Sequence, residues 1–553
     1  MDADLIFTGG IVLTEGRPQR DLAVVVKGSK VLVVGHADHT LDAWRGLATE
    51  VVDLRGRLLI PGFVDAHVHP VWGGLDLLRC NLATLQTREA YLSRVSMYAR
   101  VHPERPWILG GGWSLAAFPG GTPTAHDLDS VTSGRPAFLT NQDGHGAWVN
   151  SAALEWAGID ARTPDPPDGR IERHPDGRPS GTLHEGAMAL VGRLVPPTTH
   201  DELVQALLLG QAELHRFGVT AWQDAIVGGY GDTADPGPAY RATALDGRLR
   251  SRVVGALWWD RARGMEQLDD LRERRATLAA GDSRGGSFRP TSVKIMQDGV
   301  AENFTAAMLQ PYCDGHGGHT DNSGISFVEP ELLREAVTAL DADGFQVHFH
   351  AIGDRAVRDC LDAVEEARRA NGANDLRHHL AHLQVVHPED IARFSALGVA
   401  ANLQMLWAAL EPQMVDLTLP FLGEPRASWQ YPFGDLMRTG ATLVAGSDWS
   451  VSTPNPLAAI HVGVNRLAAP SEAEGDYPAF LPHQALSLQD AMTAYTAGSA
   501  WVNHWDDAGR IAVGCRADLA VLDRDPFAVP TQEIGHTRVL QTYVAGELVY
   551  SEH

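Results

Sequence analysis

The sequence contains little cysteine, and no stretch of it is apolar enough to cross a membrane. Only four of its 553 residues are cysteines, far apart and without a CxxC pair (Cys80, Cys313, Cys360 and Cys515). This usage argues against a disulfide framework and against a structural zinc–thiolate site, and it favours a reducing compartment. The first residues lack the basic segment and apolar run of a signal peptide, and no apolar run is long enough to span a bilayer. We therefore expect a cytoplasmic protein without a membrane segment.

Positive charge is also scarce. There are 45 Lys and Arg residues against 69 Asp and Glu residues, which gives a net charge of −24. Nucleic acids and anionic membrane surfaces are bound by concentrated Lys and Arg, so neither is an expected partner. The hydrophobic fraction of 44% and the charged fraction of 21% are ordinary for a globular protein. A chain of this length suggests either three or four domains or one large barrel with additions. The expected partner is a small-molecule substrate.

Both ends of the chain are rich in short β-strands. The patterns predict strands at Asp4–Thr8, Ile11–Thr14, Asp21–Lys27 and Lys30–Gly35, and again at Arg510–Ala512, Leu519–Asp523, Val539–Val544 and Leu548–Tyr550. Because the two ends of a domain often lie close together, we expect residues 1–60 and 505–553 to form one small β domain.

The central part, residues 61–504, alternates short apolar runs with helical stretches. The runs are Leu58–Val64, Val219–Trp222, Val253–Leu257, Ser292–Met296, Phe345–Phe349, Leu380–Leu383, Val399–Leu403 and Ala441–Ala445. Helical patterns at Leu332–Ala342, Ala356–Ala370 and Pro388–Ala396 separate several of them. About eight βα units predict a parallel (β/α)₈ barrel of the TIM type, an α/β fold. Residues from about 76 to 200 break the alternation and are predicted to be an insertion after the first barrel strand.

The sharpest local motif is His67-Val-His69 at the end of an apolar run. Side chains two residues apart in a strand point to the same side, so these two imidazoles can converge. Such a pair can hold one divalent metal ion, with zinc at about 2.0–2.1 Å from each nitrogen. The alternative is two unrelated polar residues at a strand end.

Four further candidates follow later strands. His350, His382 and Asp448 each come at or just after the end of an apolar run, and His348 shares the face of His350. Barrel enzymes place catalytic groups at this position, although a lone histidine is often structural and an aspartate there can simply cap a helix.

Lys294 lies among apolar neighbours, where a buried ammonium needs a partner or a modification. One such modification is a carbamate formed with CO₂, and the alternative is an ion pair.

These motifs together resemble the amidohydrolase superfamily, and within it the long amidohydrolase-3 group of YtcJ-like hydrolases. The resemblance covers nearly the whole chain. It is carried by residues 61–69 (PGFVDAHVH), 293–299 (VKIMQDG), 350–357 (HAIGDRAV), 377–382 (RHHLAH), 446–449 (GSDW) and 514–519 (GCRADL), and in the insertion by 143–150 (DGHGAWVN) and 181–187 (GTLHEGA).

The resemblance implies a β-sandwich built from both chain ends beside the barrel. It also implies a site with one or two divalent metal ions, with zinc the expected metal. His67 and His69 would bind the more buried ion, and a carboxylated Lys294 would bridge it to a second ion held by His350 and His382. Asp448 would bind the first ion and act as general base. The extra histidines His348 and His379 lie near these ligands in the sequence without an assigned role.

The implied reaction is hydrolysis of a C–N bond other than a peptide bond, with His382 or a metal polarising the carbonyl. The group includes hydrolases of N-substituted formamides, which are the expected substrates. A cyclic amide, an ester or a lactone is the alternative substrate, and a non-catalytic binding protein on the same fold is the competing class. A homodimer fits the barrel hydrolases. The expected substrate contacts are Trp113, Asp143, His145, Asp298 and Trp449, while Glu185 either reaches the site or holds the insertion together.

Overall fold

The computed structural model describes residues 2–229, 234–281, 286–316, 318–473 and 475–552. The chain begins with seven strands, and one helix, α1 (Ala37–Trp44), precedes the sixth. The strands are β1 (Leu5–Thr8), β2 (Ile11–Thr14), β3 (Arg17–Arg20), β4 (Leu22–Lys27), β5 (Lys30–His36), β6 (Glu50–Asp53) and β7 (Leu58–Pro61).

The first barrel strand, β8 (Phe63–Val68), is followed by α2 (Pro70–Leu78) and then by the insertion. The insertion forms its own six-stranded sheet in the order β13-β14-β12-β11-β10-β9. Its strands are β9 (Cys80–Asn81), β10 (Ile108–Trp113), β11 (Ala137–Asn141), β12 (Gly146–Val149), β13 (Gly169–Arg173) and β14 (Pro179–Glu185), and its helices are α3 (Arg88–Val101), α4 (Ala125–Asp129), α5 (Ser151–Ala157) and α6 (Ala189–Gly192). Apolar cores of its own, one built around Trp113 and Trp148, make it a separate layer.

The remaining strands and helices of the barrel follow in alternation. They are α7 (His200–Arg216), β15 (Val219–Val227), α8 (Gly237–Leu245), β16 (Arg252–Trp258), α9 (Leu268–Leu278), β17 (Ala280–Gly281), β18 (Ser287–Met296), α10 (Pro330–Ala342), β19 (Gln346–Ala351), α11 (Asp354–Asn371), β20 (His379–His382), α12 (Pro388–Leu397), β21 (Ala400–Leu403), α13 (Leu419–Leu422), α14 (Phe433–Arg438), β22 (Leu443–Ala445), α15 (Pro456–Asn465), α16 (Leu488–Thr493) and α17 (Ser499–Val502).

Eight of these strands form a nearly closed parallel barrel in the order β22-β21-β20-β19-β18-β16-β15-β8, with β17 pairing antiparallel to β18. The gap between the first and last strands is bridged where the backbone N–H of Asp448 donates to the carbonyl of His67, at 2.8 Å. The barrel strands are buried on both faces, which explains their continuous apolar runs. The helices bury one stripe each. In α11 the buried residues recur at three- and four-residue spacing, as in Val357, Cys360, Leu361 and Val364.

The chain ends with β23 (Leu519–Leu522), β24 (Val539–Val544) and β25 (Glu547–Ser551). These strands join the N-terminal ones in a six-stranded sheet, β25-β24-β23-β7-β2-β3, which faces a four-stranded sheet, β5-β4-β1-β6. The two sheets share one apolar core, in which the rings of Phe7 and Tyr543 meet edge to face at 4.9 Å. The predicted fold class, a barrel with a sandwich from both ends and an insertion after the first strand, is confirmed. The domain boundaries at residues 60 and 505 remain predictions.

Two sequence-based assignments of strands were wrong. The run Leu58–Val64 is not one barrel strand, because Leu58–Pro61 belongs to the sandwich and the barrel strand begins at Phe63. The backbone N–H of Gly62, between the two strands, donates to the carbonyl of Asp518, just before β23 of the sandwich. Arg510–Ala512 is not a strand, although Ile511 is buried in the sandwich core. No helix within the described ranges is both long and apolar enough to cross a membrane.

Candidate metal centre and active site

Three predicted ligands converge at the carboxyl edge of the barrel. His67 Nε2 lies 3.2 Å and His69 Nε2 lies 3.0 Å from Asp448 Oδ1, and all three residues are buried. One possible ligand atom from each of the three residues lies within 4.8 Å of the others. Despite this closeness, Asp448 Oδ1 has no hydrogen-bond partner among the described residues. Two imidazoles and a carboxylate in this arrangement are the ligand types that zinc takes.

The backbone around these residues holds them in place. The carboxylate of Asp65 accepts hydrogen bonds from the backbone N–H of His67 at 3.0 Å and of Ser447 at 3.1 Å, which ties β8 to the end of β22. Gly446 is needed for this approach, because a Cβ there would lie 2.6 Å from the backbone nitrogen of His67. Asp448 has a φ of 56°, a left-handed conformation that costs about 1–3 kcal/mol in a non-glycine residue. The Gly-Ser-Asp motif is therefore a geometric requirement of this barrel seam.

The other predicted ligands, Lys294, His350 and His382, line the same cavity of about 50 Å³ as the first three. The ring of His382 lies 4.4 Å from that of His350 and 4.7 Å from that of His67, measured between centroids. Neither nitrogen of His382 has a hydrogen-bond partner in the described part of the chain. Buried polar atoms without partners are costly. A metal ion in this cavity would satisfy one nitrogen of His382 together with Asp448 Oδ1, so the donor set fits a metal centre.

Burial puts these groups in the protonation states that metal binding needs. It lowers the pKa of His67, His350 and His382 well below the usual histidine value, so the rings are neutral and can act as ligands. Burial also lowers the pKa of Lys294 to about 7, against the opposing charge of Asp448. Although burial opposes it, contact with His69 and the charge of His382 lower the pKa of Asp448. A lysine with a lowered pKa has a neutral amine available for carbamate formation at neutral pH.

Asp298 lies behind His350 and does not line the cavity. It is fully buried, and its Oδ1 lies 3.2 Å from His350 Nδ1. Its two oxygens also accept backbone hydrogen bonds from Ala307, Ile352 and Gly353 at 2.8–3.0 Å. A carboxylate that fixes a histidine ring is a common support for metal ligands. The structure thus gives the expected substrate contact Asp298 the position of an orienting residue.

The extra histidines form a buried row beneath His67. His67 Nδ1 lies 2.7 Å from His348 Nε2, and the ring of His348 lies 4.0 Å from that of His379. The amide nitrogen of Asn402 in turn lies 3.1 Å from His379 Nδ1. This contact with His348 leaves the other nitrogen of His67 directed at Asp448. Asn402 was missed from the sequence because it lies on a different strand and matches no motif.

The insertion contributes a charged pair, His145 and Glu185, beside the metal cavity. His145 Nδ1 lies 3.0 Å from Glu185 Oε1, which also accepts a hydrogen bond from Thr305 at 2.9 Å. Although burial opposes it, Glu185 raises the pKa of His145 to about 9. Asp143 and His145 line the cavity, and the His145 ring lies 5.6 Å from that of His350. Glu185 both holds the insertion onto the barrel and charges a histidine at the site.

The tryptophans divide into two groups. Trp72 stacks on His69 at 4.5 Å and Trp407 stacks on His382 at 5.2 Å, and both line the cavity. Trp113 is buried in the insertion, where its indole N–H donates to the carbonyl of Leu139, although it also borders a second, larger cavity. The ring of Trp449 packs against Gly73 and lines neither of these two cavities. Of the two tryptophans predicted to contact substrate, Trp113 borders one of these two cavities and Trp449 borders neither.

Comparison with known proteins agrees with this geometry. The amidohydrolase family profile matches residues 50–550. The putative amidohydrolase YtcJ of Bacillus subtilis is 30% identical over 99% of both chains, and the N-substituted formamide deformylase of Arthrobacter pascens is 28% identical over 99% of this chain and 98% of its own. A crystal structure of an uncharacterized metal-dependent hydrolase from Pyrococcus furiosus superimposes with a TM-score of 0.70 at 25% identity, over 94% of this chain and 99% of the other. The chain belongs to the amidohydrolase family and is a metal-dependent hydrolase.

Proposed function

We propose that this protein hydrolyses the C–N bond of an amide-type substrate, with N-substituted formamides as the class to test first. The observation that carries the proposal is the convergence of His67, His69 and Asp448 in one buried cavity with three further potential ligands. The full-length similarity to a formamide deformylase supports the choice of substrate. Trp72 and Trp407 wall the cavity and would suit an apolar N-substituent.

His67, His69 and Asp448 would hold one divalent ion, for which zinc suits the nitrogen and oxygen donors. Lys294, as a carbamate, would bridge to a second ion held by His350 and His382. When bound, such a metal acidifies water and polarises a carbonyl oxygen. With Lys294 unmodified, the site would hold one ion and the lysine would be structural.

The remaining chemistry falls to side chains of this chain. Asp448 orients the attacking water, takes its proton as the water oxygen bonds to the carbonyl carbon, and returns that proton to the leaving nitrogen. His382 donates a hydrogen bond to the carbonyl oxygen. The C–N bond breaks to give an amine and a carboxylic acid, which is formic acid for a formamide and which releases its proton to water to become the carboxylate. His145, held by Glu185, lies where it can contact the substrate.

We infer that the protein acts in the cytoplasm, because the residues described include four free cysteines and no disulfide. A homodimer also stays a prediction.

The experiment is a substrate panel assayed with zinc-loaded protein: N-benzylformamide, N-benzylacetamide, a cyclic imide, a lactone and an aryl ester. We expect formate release from N-benzylformamide, and Asp448→Asn should abolish it while retaining metal. An exposed-site change, Asp176→Asn in the insertion, provides the matched control. Turnover of the lactone or ester without any amide cleavage would contradict the C–N assignment.

A further inference from the structure

A larger cavity of about 190 Å³ lies beside the metal cavity. Five residues line both, so the two spaces are continuous neighbours: Asp143, Val300, Ile352, Trp407 and Val451. A substrate whose scissile bond lies at the predicted ligands would therefore extend its remaining atoms into the larger cavity. The residues that line the larger cavity therefore indicate which chemical group the substrate places in it.

The charged side chains that line the larger cavity are all acidic. Asp143 comes from the insertion, while Glu302, Glu411 and Glu472 follow three different elements of the barrel. No lysine or arginine of the described ranges lines this cavity. Of the basic side chains of the site, Lys294 and the protonated His145 line only the smaller cavity. Four carboxylates brought together from four segments produce a negative potential in a partly enclosed space.

One of these carboxylates, that of Glu302, faces no cation in the part of the chain that the structure describes. Within the described residues, Glu302 forms no ion pair and accepts a hydrogen bond from the neutral hydroxyl of Thr418 at 2.7 Å. Asp143, by contrast, lies near the protonated His145, whose charge acts to lower the pKa of Asp143 against the effect of burial. Burial raises the pKa of Glu302, and the nearby charge of Asp143 raises it further. The protein thus leaves like charges facing one space, which a cation would relieve.

An independent observation points to a ligand in the same cavity. Tyr431 lines it and is only 2% exposed, yet its hydroxyl makes no hydrogen bond to any residue that the structure describes. The carboxylates of Glu302 and Glu411 both act on the pKa of this hydroxyl, which burial raises well above the usual value. Tyr431, Glu302 and Glu411 all line this one cavity. A tyrosine whose ring is buried ordinarily bonds its hydroxyl to a partner, so this hydroxyl is available to a ligand in the cavity.

We propose that the larger cavity binds a positively charged group of the substrate, an alkyl- or arylalkylammonium, beyond the scissile bond. The placement of the scissile bond rests on the function proposed above. Carboxylates of Glu302 and Glu411 would pair with the cation, and the hydroxyl of Tyr431 would accept a hydrogen bond from its N–H. The ring of Trp407, between the two cavities, would offer a cation–π contact.

The test compares three ligands that share one ring and one amide and differ only in charge. They are 4-(aminomethyl)benzamide, 4-methylbenzamide and 4-carboxybenzamide, titrated calorimetrically into zinc-loaded full-length protein at pH 7. We expect the cationic amide to bind about tenfold more tightly than the neutral one, and the anionic one to bind most weakly. Equal affinities, or no binding of the cationic amide, would overturn the proposal.

Variants of the lining residues test whether the larger cavity causes the tighter binding of the cationic amide. Glu302→Gln keeps an oxygen that can accept from Thr418 and removes only the charge, so it should cut the advantage of the cationic amide about threefold to tenfold. Glu331→Gln, on the exposed surface of α10, is the matched control and should leave the advantage unchanged. If Glu302→Gln lowers the melting temperature severely, Tyr431→Phe serves instead. An undiminished cationic advantage in Glu302→Gln or, where that variant does not fold, in Tyr431→Phe contradicts the assignment of this cavity.

The two proposals fail separately. Tight binding of the cationic amide without hydrolysis of any amide in the substrate panel would overturn C–N hydrolysis and leave the cation site standing. Hydrolysis of N-benzylformamide, together with equal affinities for the three benzamides, would overturn the cation site and leave C–N hydrolysis standing.

Discussion

Replacing Asp298 by asparagine tests whether this carboxylate fixes His350. Its Oδ1 faces His350 Nδ1 and the N–H of Ile352, and its Oδ2 accepts from the N–H groups of Ala307 and Gly353. Asparagine has the same shape but only one oxygen. With that oxygen in the place of Oδ2, its NH₂ group faces the N–H of Ile352, while His350 Nδ1 can accept from it in the other tautomer. One buried donor left without an acceptor costs about 1–3 kcal/mol, so the free energy of unfolding should fall by about 1–3 kcal/mol.

The loss is measured by urea denaturation of the metal-free protein, followed by tryptophan fluorescence. Asp176→Asn, in an exposed turn of the insertion, is the control and should change stability by no more than about 0.5 kcal/mol. Metal affinity provides a second readout, because loosening a residue that orients a ligand lowers affinity by about 10–100-fold. An Asp298→Asn protein with unchanged stability and unchanged metal affinity would refute the orienting role.

Three further predictions follow from particular contacts. Burial lowers the pKa of His215 to about 3 from 6.5, so the contribution of this residue to stability is complete above pH 6.5 and is lost as the pH falls. Between pH 6.5 and 5 the free energy of unfolding should fall by about 2 kcal/mol. Acid denaturation of His215→Gln should show a smaller dependence of stability on pH. Gly446→Ala would place a Cβ against the backbone of His67, and we expect about 1–3 kcal/mol of destabilisation and weakened zinc binding, measured by unfolding and by metal titration. Glu185→Gln removes the charge beside His145, so the pKa of that histidine, followed by NMR, should fall from about 9; an unchanged value would contradict the pairing.

The sequence was sufficient for the barrel and for its ligand candidates because both depend on local patterns. Strand runs report burial on both faces, and side chains at the ends of parallel strands meet at one edge. His67, His69 and Asp448 were expected together for that reason, and the structure places them within contact. Lys294 was singled out because an ammonium among apolar residues is costly.

Other features depend on contacts between distant segments and could not be predicted. Nothing local distinguishes an aspartate that touches substrate from one that supports a histidine, so the position of Asp298 behind His350 emerged only in three dimensions. The same holds for Asn402, and for Asp65, which joins the two strands at the barrel seam. The division of Leu58–Val64 into two strands was missed because the apolar run continues across both.

The central claim is that His67, His69 and Asp448 bind a catalytic metal ion. The most direct measurement is metal content by elemental mass spectrometry after zinc reconstitution and removal of excess metal, on the natural protein and on His67→Ala/His69→Ala. The account predicts one zinc per chain, or two when Lys294 is carboxylated, and loss of the ion in the double variant with the fold preserved by circular dichroism. A natural protein that takes up no metal, or a double variant that binds it equally well, would contradict the claim.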